Sequence, residues 1–512
     1  LCGIFHREEG NVPKQLDELK IRLMEVYNLK QIEALVNWDE ATYMPYGGAS
    51  SRGRQTALLG RLAHEKLSDP AIGHLLDELQ PYEESMPYES DEASLIRVTR
   101  REFERAIRIP PVFIAEFYQH ISNSFNSWTK ARPENDFKTL EPFLARTVDL
   151  SRQMAGFYPG YEHIADPLIN IADYGMKATT LRKLFANLRR ELVPIVQTIT
   201  SQPPADDSCL KQYYPQADQL AFGLEVVRQL GYDFNRGRQD LTHHPFQTTI
   251  SLGDVRITTR VDENNLSEAL FSTIHESGHA MYEQGIRREL EGTPLGVGTS
   301  AGVHESQSRT WENLVGRSRS FWDYFYPRLQ AKFPSQLKDV SVDTFYKAVN
   351  KVQRSLIRTD ADEVTYNMHV MIRFDIELAL LEGNLLVRDL PEYWHVRYMA
   401  DMGMRAPDDR DGVMQDVHWF AGTVGGSFQG YTLGNIFGAQ FFAQALKAHP
   451  EIPQEMSQGK FDTLRRWLVE NVYQHGSKFT ASELVERVCG GPLSFEPYIA
   501  YLKAKYGELY KL

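Results

Sequence analysis

The chain has 512 residues, a formal net charge of −12 and 24% charged residues. That acidic balance argues against nucleic-acid binding, which needs a basic footprint, and no run approaches the ~20 uninterrupted apolar residues of a membrane-crossing helix. Cys2, Cys209 and Cys489 are scattered and odd in number, which argues against a disulfide framework or a cysteine zinc site and fits a reducing cytoplasm.

The opening LCGIFHREEGNVPKQ has neither a basic n-region nor a long apolar h-region and does not read as a secretory signal. From Leu16 to about Val36, apolar residues recur three or four apart, the period of an amphipathic helix. The stretch Asn37 to Pro45, followed by Gly47 and Gly48, reads as its stop. A second helix is expected over Ser51–Glu65. Residues 81–94, acidic and containing proline, read as a surface loop or helix start. Arg97–Arg108 is helical in pattern, and Pro110-Pro111 ends it. Further helices are expected at Val112–Arg132, Leu140–Phe157, Ala178–Gln202 and Ala217–Leu230.

The character changes at His243. Gln247–Ser251 and Asp254–Arg260 are rich in Thr, Ile and Val, with Leu252-Gly253 between them, and predict a hairpin. Asn265 has the position of an N-cap, with Glu268 three residues on as in a capping box. The helix behind it should run from Leu266 to about Gln284, with Leu266, Leu270, Ile274 and Met281 on its apolar face and Ala269 and Gly278 allowing close packing. A loop over Arg287–Gly298 leads to a helix near Ser300. Val342–Leu381 reads as a long, mostly helical segment. Gly422–Tyr431 reads as a glycine-rich loop, and helices return from Leu433 onward. No repeat, low-complexity tract or linker divides the chain, so residues 1–512 read as one domain whose two lobes flank a single cleft.

The chemistry concentrates in His275-Glu276-Ser277-Gly278-His279, which fits H-E-x-x-H. Two histidines four apart lie one turn above each other on a helix and can hold one cation, with the glutamate in reach of a water. Zinc catalysis needs a third protein ligand and an open position. Glu283, Glu289, Glu291 and Glu305 are candidates, and Glu305, on its own helix after a loop long enough for an antiparallel return, is favoured. In such a site Glu276 is the general base. His418 and Tyr431, in polar or glycine-rich surroundings, are candidate donors to the developing oxyanion.

These segments resemble the carboxypeptidase Taq family of metallocarboxypeptidases. The pieces that carry the resemblance are WDEATYMP (38–45), HPF (244–246), DVRITTR (254–260), HESGH (275–279), HESQSRTWENLVGRS (304–318), IRTDAD (357–362) and GVMQDVHW (412–419), in the family's order. The resemblance implies a mainly α, two-lobed, neurolysin-like fold around a deep active-site cleft, with a small β-sheet near the metal. It implies a metallocarboxypeptidase with broad specificity for C-terminal residues, zinc or cobalt as the single divalent ion, and often a homodimer, beside the cytoplasmic location that the cysteines suggest. Its partners are then peptides with a free C-terminus, not nucleic acid or membrane. Carried over by motif position, His275, His279 and Glu305 are the ligands and Glu276 the base. Recognition of a free carboxylate calls for an arginine. Arg358 is the first candidate, against an ion pair with Asp360 or Asp362. Arg256 and Arg309 are alternatives, and His244 of HPF is a further substrate-binding candidate. A metallo-endopeptidase or dipeptidase on the same fold, or a non-catalytic peptide- or metal-binding protein, are the other readings of these motifs.

Overall fold

The computed structural model describes residues 13–511, and these are mainly helical with one small sheet, the expected class. Helix α1 spans Lys14–Thr42 and buries Leu16, Leu19, Leu23, Val26 and Tyr27, the predicted stripe. It does not stop near Val36. Nothing in NWDEAT breaks a helix, so α1 continues and buries Trp38 as well. Pro45 sets the limit, because a proline disfavours helical backbone in the residue before it, and Met44 lies outside the helix.

Helices α2 (Ala49–Leu67), α3 (Pro70–Ser85) and α4 (Asp91–Arg108) follow. The acidic 81–94 stretch is therefore mostly helix. Pro81 sits inside α3, and α4 starts at Asp91, where Ser90 Oγ accepts the Ala93 amide at 3.1 Å. The apolar faces of α1, α3 and α4 close a small core of their own. It meets the rest of the chain through Leu252, Ile286, Leu290 and Leu295.

The four helices expected next are present within a few residues, at Pro111–Ala131, Phe137–Gly156, Ala178–Thr200 and Gln216–Leu230. The hairpin is present too, as β2 (Gln247–Ser251) antiparallel to β3 (Asp254–Thr259), with a register shift between Thr249 and Ser251. A third strand, β1 (Gln239–Leu241), pairs parallel to β3 on its other side, so β3 is central. Alternation along β3 turns Val255, Ile257 and Thr259 inward. Thr259 Oγ1 donates to the Ala269 carbonyl at 3.3 Å, fixing the sheet against the next helix.

That helix is α5, Leu266–Gly285, and its predicted apolar face is buried. The capping box is not formed: Asn265 makes no side-chain cap, and Glu268 pairs with Arg260. Helix α6 (Ala301–Arg309) crosses α5 at Gly278, where a Cβ would lie 2.6 Å from the Gln307 carbonyl oxygen. The expected helix over Val342–Leu381 is broken. It ends at Val349, residues 350–365 hold only a 3₁₀ turn at Arg358–Asp360, and α7 starts at Tyr366 and runs to Glu382. The Asp362 carboxylate accepts the amides of Gln353, Val364 and Thr365 and so offers this segment an alternative to helix. Helix α8 (Gln429–Ala448) starts before Leu433, so Gly430 and Tyr431 belong to its first turn rather than to a loop.

Candidate metal centre

Three ligand atoms, one each from His275, His279 and Glu305, lie within 4.8 Å of one another. Helix α5 supplies the histidines and α6 the carboxylate. Glu305 Oε2 is 3.8 Å from His275 Nε2 and 3.5 Å from His279 Nε2. Ligands about 2.0–2.2 Å from a tetrahedral ion stand about 3.4 Å apart, close to these separations. Helix α6 is held in place from both sides. Gly278 lets it approach α5, and Gly434 on α8 lies where a Cβ would come within 2.4 Å of Glu305 Cγ.

The groups behind the two histidines and Glu305 decide which of their atoms face inward. His275 Nδ1 lies 2.9 Å from Glu312 Oε2, so it donates there and leaves its Nε2 lone pair toward Glu305. His279 Nδ1 lies 2.7 Å from His304 Nδ1, and His304 Nε2 donates to Glu283 Oε1 at 3.0 Å. In that tautomer chain His279 also turns a lone pair toward Glu305. The second carboxylate oxygen, Glu305 Oε1, accepts from Arg309 at 2.7 Å. Three electron pairs then converge with no proton of their own between them, an arrangement that fits a cation.

The electrostatics agree. Burial pushes His279 down to about 3, which keeps it neutral. Burial works against ionisation of Glu305, but Arg309 and His275 hold its carboxyl far below its usual range. Burial likewise opposes ionisation of Glu312, yet Arg309 and His275 bring it down to about 2. Burial opposes protonation of His275, while Glu305 and Glu312 raise its affinity for a proton, which a bound cation would displace. Glu276 is 6% exposed, and burial pushes its carboxyl up to about 7 against the pull of His275.

Of the other carboxylates considered from sequence, Glu283 bonds His304 and the Gly298 amide. Glu291 accepts the Leu252 amide at 2.9 Å, and Glu289 lies in a 3₁₀ turn at Arg288–Leu290. His304, Glu283 and Glu312 as partners of the histidines were not legible in sequence. Glu312 follows Glu305 by seven residues, two helical turns, and that spacing is the one signal that could have pointed to it. It lies on a π-helical turn, Thr310–Val315, that extends α6.

A second group forms around Arg358. Its guanidinium donates through Nε and a terminal nitrogen to Asp416, with a 2.9 Å bond to Oδ1, and through the other terminal nitrogen to Tyr366 Oη at 2.9 Å. Its acidic partner is therefore Asp416, not Asp360 or Asp362. Asp416 also accepts from Arg373 at 2.6 Å and stands 3.5 Å from His418 Nδ1. His418 Nε2 lies 3.2 Å from Tyr431 Oη, and the Arg358 guanidinium is 5.2 Å from the Tyr431 ring. Burial, with Tyr366 and Glu305 outweighing Arg358, raises the Tyr431 hydroxyl above its ordinary value and leaves it a neutral donor. His244 is close enough to this group that partial desolvation and the charges of Arg260, Arg358 and His418 lower its pKa. Arg309, over the Tyr366 ring at 4.5 Å, bridges the two groups and is engaged by Glu305 and Glu312. Arg256 pairs with Asp254 at 2.7 Å and lies over Trp38 at 4.2 Å. Among the described residues it has no hydrogen bond to the Arg358 group.

The sequence profile of the carboxypeptidase Taq (M32) metallopeptidases matches residues 18–506. The chain belongs to this family. As an M32 metallocarboxypeptidase it is a peptide hydrolase of a kind that works with a divalent metal, and the His275, His279 and Glu305 group could bind one. It is 42% identical to thermostable carboxypeptidase 1 of Thermus thermophilus, over 94% of this chain and 96% of that protein. It is 34% identical to carboxypeptidase 1 of Bacillus subtilis, over 96% and 97%. The crystal structure of the M32 carboxypeptidase of Deinococcus radiodurans R1 superposes with a TM-score of 0.95 at 48% identity, covering 98% of this chain and all of that one. Among the described residues no helix is long and apolar enough to cross a membrane.

Proposed function

We propose that this metallocarboxypeptidase removes single residues from peptide C-termini with broad specificity, using His275, His279 and Glu305 as ligands of one zinc or cobalt ion. The convergence of their three lone pairs is the observation that carries this reading. A bound divalent ion supplies Lewis acidity, acidifying water and polarising the scissile carbonyl. Glu276, next to His275 and turned into a buried setting, accepts the proton of the attacking water and returns it to the leaving amine. Burial raises the affinity of this carboxyl for a proton, which suits a group that must take one up and hand it on.

Tyr431, with His418 behind its hydroxyl, donates to the oxygen on which charge develops. Arg358 receives the substrate's terminal carboxylate. Asp416 holds one edge of its planar fork, and terminal N–H groups remain for a carboxylate. His244 flanks the same group, and Arg256 is the more distant alternative. The homodimer is part of the same proposal, and no membrane or nucleic acid takes part.

Product analysis tests this reading. A defined peptide incubated with the metal-loaded enzyme should lose residues one at a time from its C-terminus, and its C-terminally amidated twin should stay intact. Internal cleavage, or equal hydrolysis of the amide, would remove the C-terminal assignment.

A further inference from the structure

The Arg358 group has a second arginine behind it. Arg373 lies on α7 two turns after Tyr366, so one face of that helix meets the group twice. Tyr366 Oη accepts from Arg358 at 2.9 Å, and Arg373 Nε donates at 2.6 Å to Asp416, the carboxylate that also holds Arg358. Arg373 Nη2 donates to Gln415 Oε1 at 2.8 Å, and the same oxygen accepts the backbone amide of Arg358 at 3.0 Å. Its Nη1 donates to the His369 carbonyl at 2.9 Å and to Tyr398 Oη at 2.8 Å. Arg373 is fully buried and out of a peptide's reach.

A buried guanidinium is costly unless its charge is paired, and here one carboxylate serves two of them. Burial opposes ionisation of Asp416, but Arg373, His418 and Arg358 hold its carboxyl far below its usual range, so it stays charged. The neighbours of Arg373 supply no second counter-charge. Burial and Arg373 keep His369 neutral, and burial keeps the Tyr398 hydroxyl protonated. Glu377, one turn beyond Arg373, bonds Trp419 instead, and burial favours its neutral form. Asp375, on the opposite side of α7, is held by Arg189 and Arg397. His418, 3.5 Å from Asp416, can only add positive charge. Two guanidiniums and one carboxylate therefore leave one positive charge over.

That surplus bears on carboxylate binding. Without Arg373, Arg358 and Asp416 would form a neutral pair, and an arriving carboxylate would compete with Asp416 for its guanidinium. With Arg373 sharing Asp416, the trio keeps a net positive charge in a buried, low-dielectric setting, where it acts strongly on an anion. We propose that Arg373 is a positioning residue for the substrate's terminal carboxylate: it shares Asp416 with Arg358 and so leaves the trio one positive charge for that carboxylate to neutralise. The proposal rests on the reading of Arg358 as the carboxylate receiver.

Kinetics of the metal-loaded enzyme on a free-acid peptide test it. Arg373→Met leaves Asp416 paired with Arg358, so no buried charge is orphaned. KM should rise at least about fivefold through the loss of one nearby unit charge. The value of kcat should stay within about twofold, the pattern of a lost binding interaction that substrate and transition state share. Arg373→Lys keeps the charge with fewer hydrogen bonds and should recover most of the loss. Arg373→Met combined with Asp416→Asn removes still more hydrogen bonds but restores the surplus charge. Its KM should return toward the wild-type value, whereas a purely structural role for Arg373 predicts a further rise. An unchanged KM in Arg373→Met, or a double variant with a KM at or above that of Arg373→Met, would overturn the proposal. If Arg373→Met does not fold, the double variant decides against wild type, and a KM raised about fivefold or more overturns the proposal. If Arg358→Met raises KM and Arg373→Met does not, only this proposal fails. If Arg358→Met leaves KM unchanged, the reading of Arg358 fails with it.

Discussion

The carboxylate of Glu312 lies 2.9 Å from Nδ1 of His275, on the side of the ring away from Glu305. It fixes the tautomer that turns the Nε2 lone pair toward Glu305, and it is itself held by Arg309 at 3.1 Å and by Arg317. Partners of this kind are worth about 10–100-fold in metal affinity. Glu312→Gln can still accept from His275 but loses the charge, and Glu312→Ala loses both. Competition with a chelator of known affinity should rank metal binding as wild type, then Glu312→Gln, then Glu312→Ala. Identical affinities would mean that Glu312 does not orient His275.

Glu276→Gln separates proton transfer from metal binding. The side chain keeps its size and its place beside His275, but it cannot take a proton. Turnover of a free-acid peptide should drop about 10²–10⁴-fold, while metal content, read by elemental analysis, stays at one ion per chain. Normal turnover in this variant would exclude Glu276 as the base.

Much of this was legible in the sequence, because the fold depends on periodic signals. The stripe of α1, the apolar face of α5 and the β2–β3 hairpin are local patterns, and each is where the pattern places it. Glu305 could be favoured as the third candidate ligand because a loop long enough for an antiparallel return separates it from His279. What could not be read depends on tertiary contact. The His279–His304–Glu283 chain folds back across 21–25 residues. The pairing of Arg358 with Asp416 spans 58 residues. The break in Val342–Leu381 comes from a carboxylate, Asp362, that satisfies backbone amides, which apolar periodicity cannot register.

Arg358 can be removed without leaving a buried charge alone. Asp416 would keep its 2.6 Å bond to Arg373, so the network loses one arm rather than its balance. Arg358→Met should therefore fold and bind metal, yet show a KM for free-acid peptides raised by at least about tenfold, since charged hydrogen bonds are worth ~1.5–3 kcal/mol. Arg358→Lys should recover part of that loss, because a point charge replaces the fork. An unchanged KM in Arg358→Met would move carboxylate recognition elsewhere.

Gly434 and Glu305 test how tightly the third candidate ligand is held. A Cβ at residue 434 would come within 2.4 Å of Glu305 Cγ and 2.7 Å of its Cβ, on the face where α6 rests against α8. Overpacking of this kind costs about 1–3 kcal/mol. Gly434→Ala should lower the urea midpoint of the metal-free protein and weaken metal binding together. A substitution distant from the ligands would lower only the midpoint.

Glu377 provides a pH test that does not involve the metal. It is fully buried. One carboxylate oxygen accepts from Trp419 Nε1 at 3.0 Å, and the other makes no hydrogen bond within 3.5 Å among the described residues. Burial raises its pKa from 4.5 to about 7. The folded state therefore holds the proton over a range in which the unfolded state has released it. Stability from this group is complete below the unfolded value and falls as pH rises from about 4.5 to about 7. At 1.36 kcal/mol per unit the full span is roughly 3 kcal/mol. Glu377→Gln keeps the acceptor for Trp419 but cannot ionise. Urea unfolding of metal-free protein at pH 5 and pH 8 should show the wild type losing more stability than Glu377→Gln over that interval. Parallel losses in the two proteins would show that Glu377 ionises as readily folded as unfolded, and that its surroundings are wetter than its burial indicates.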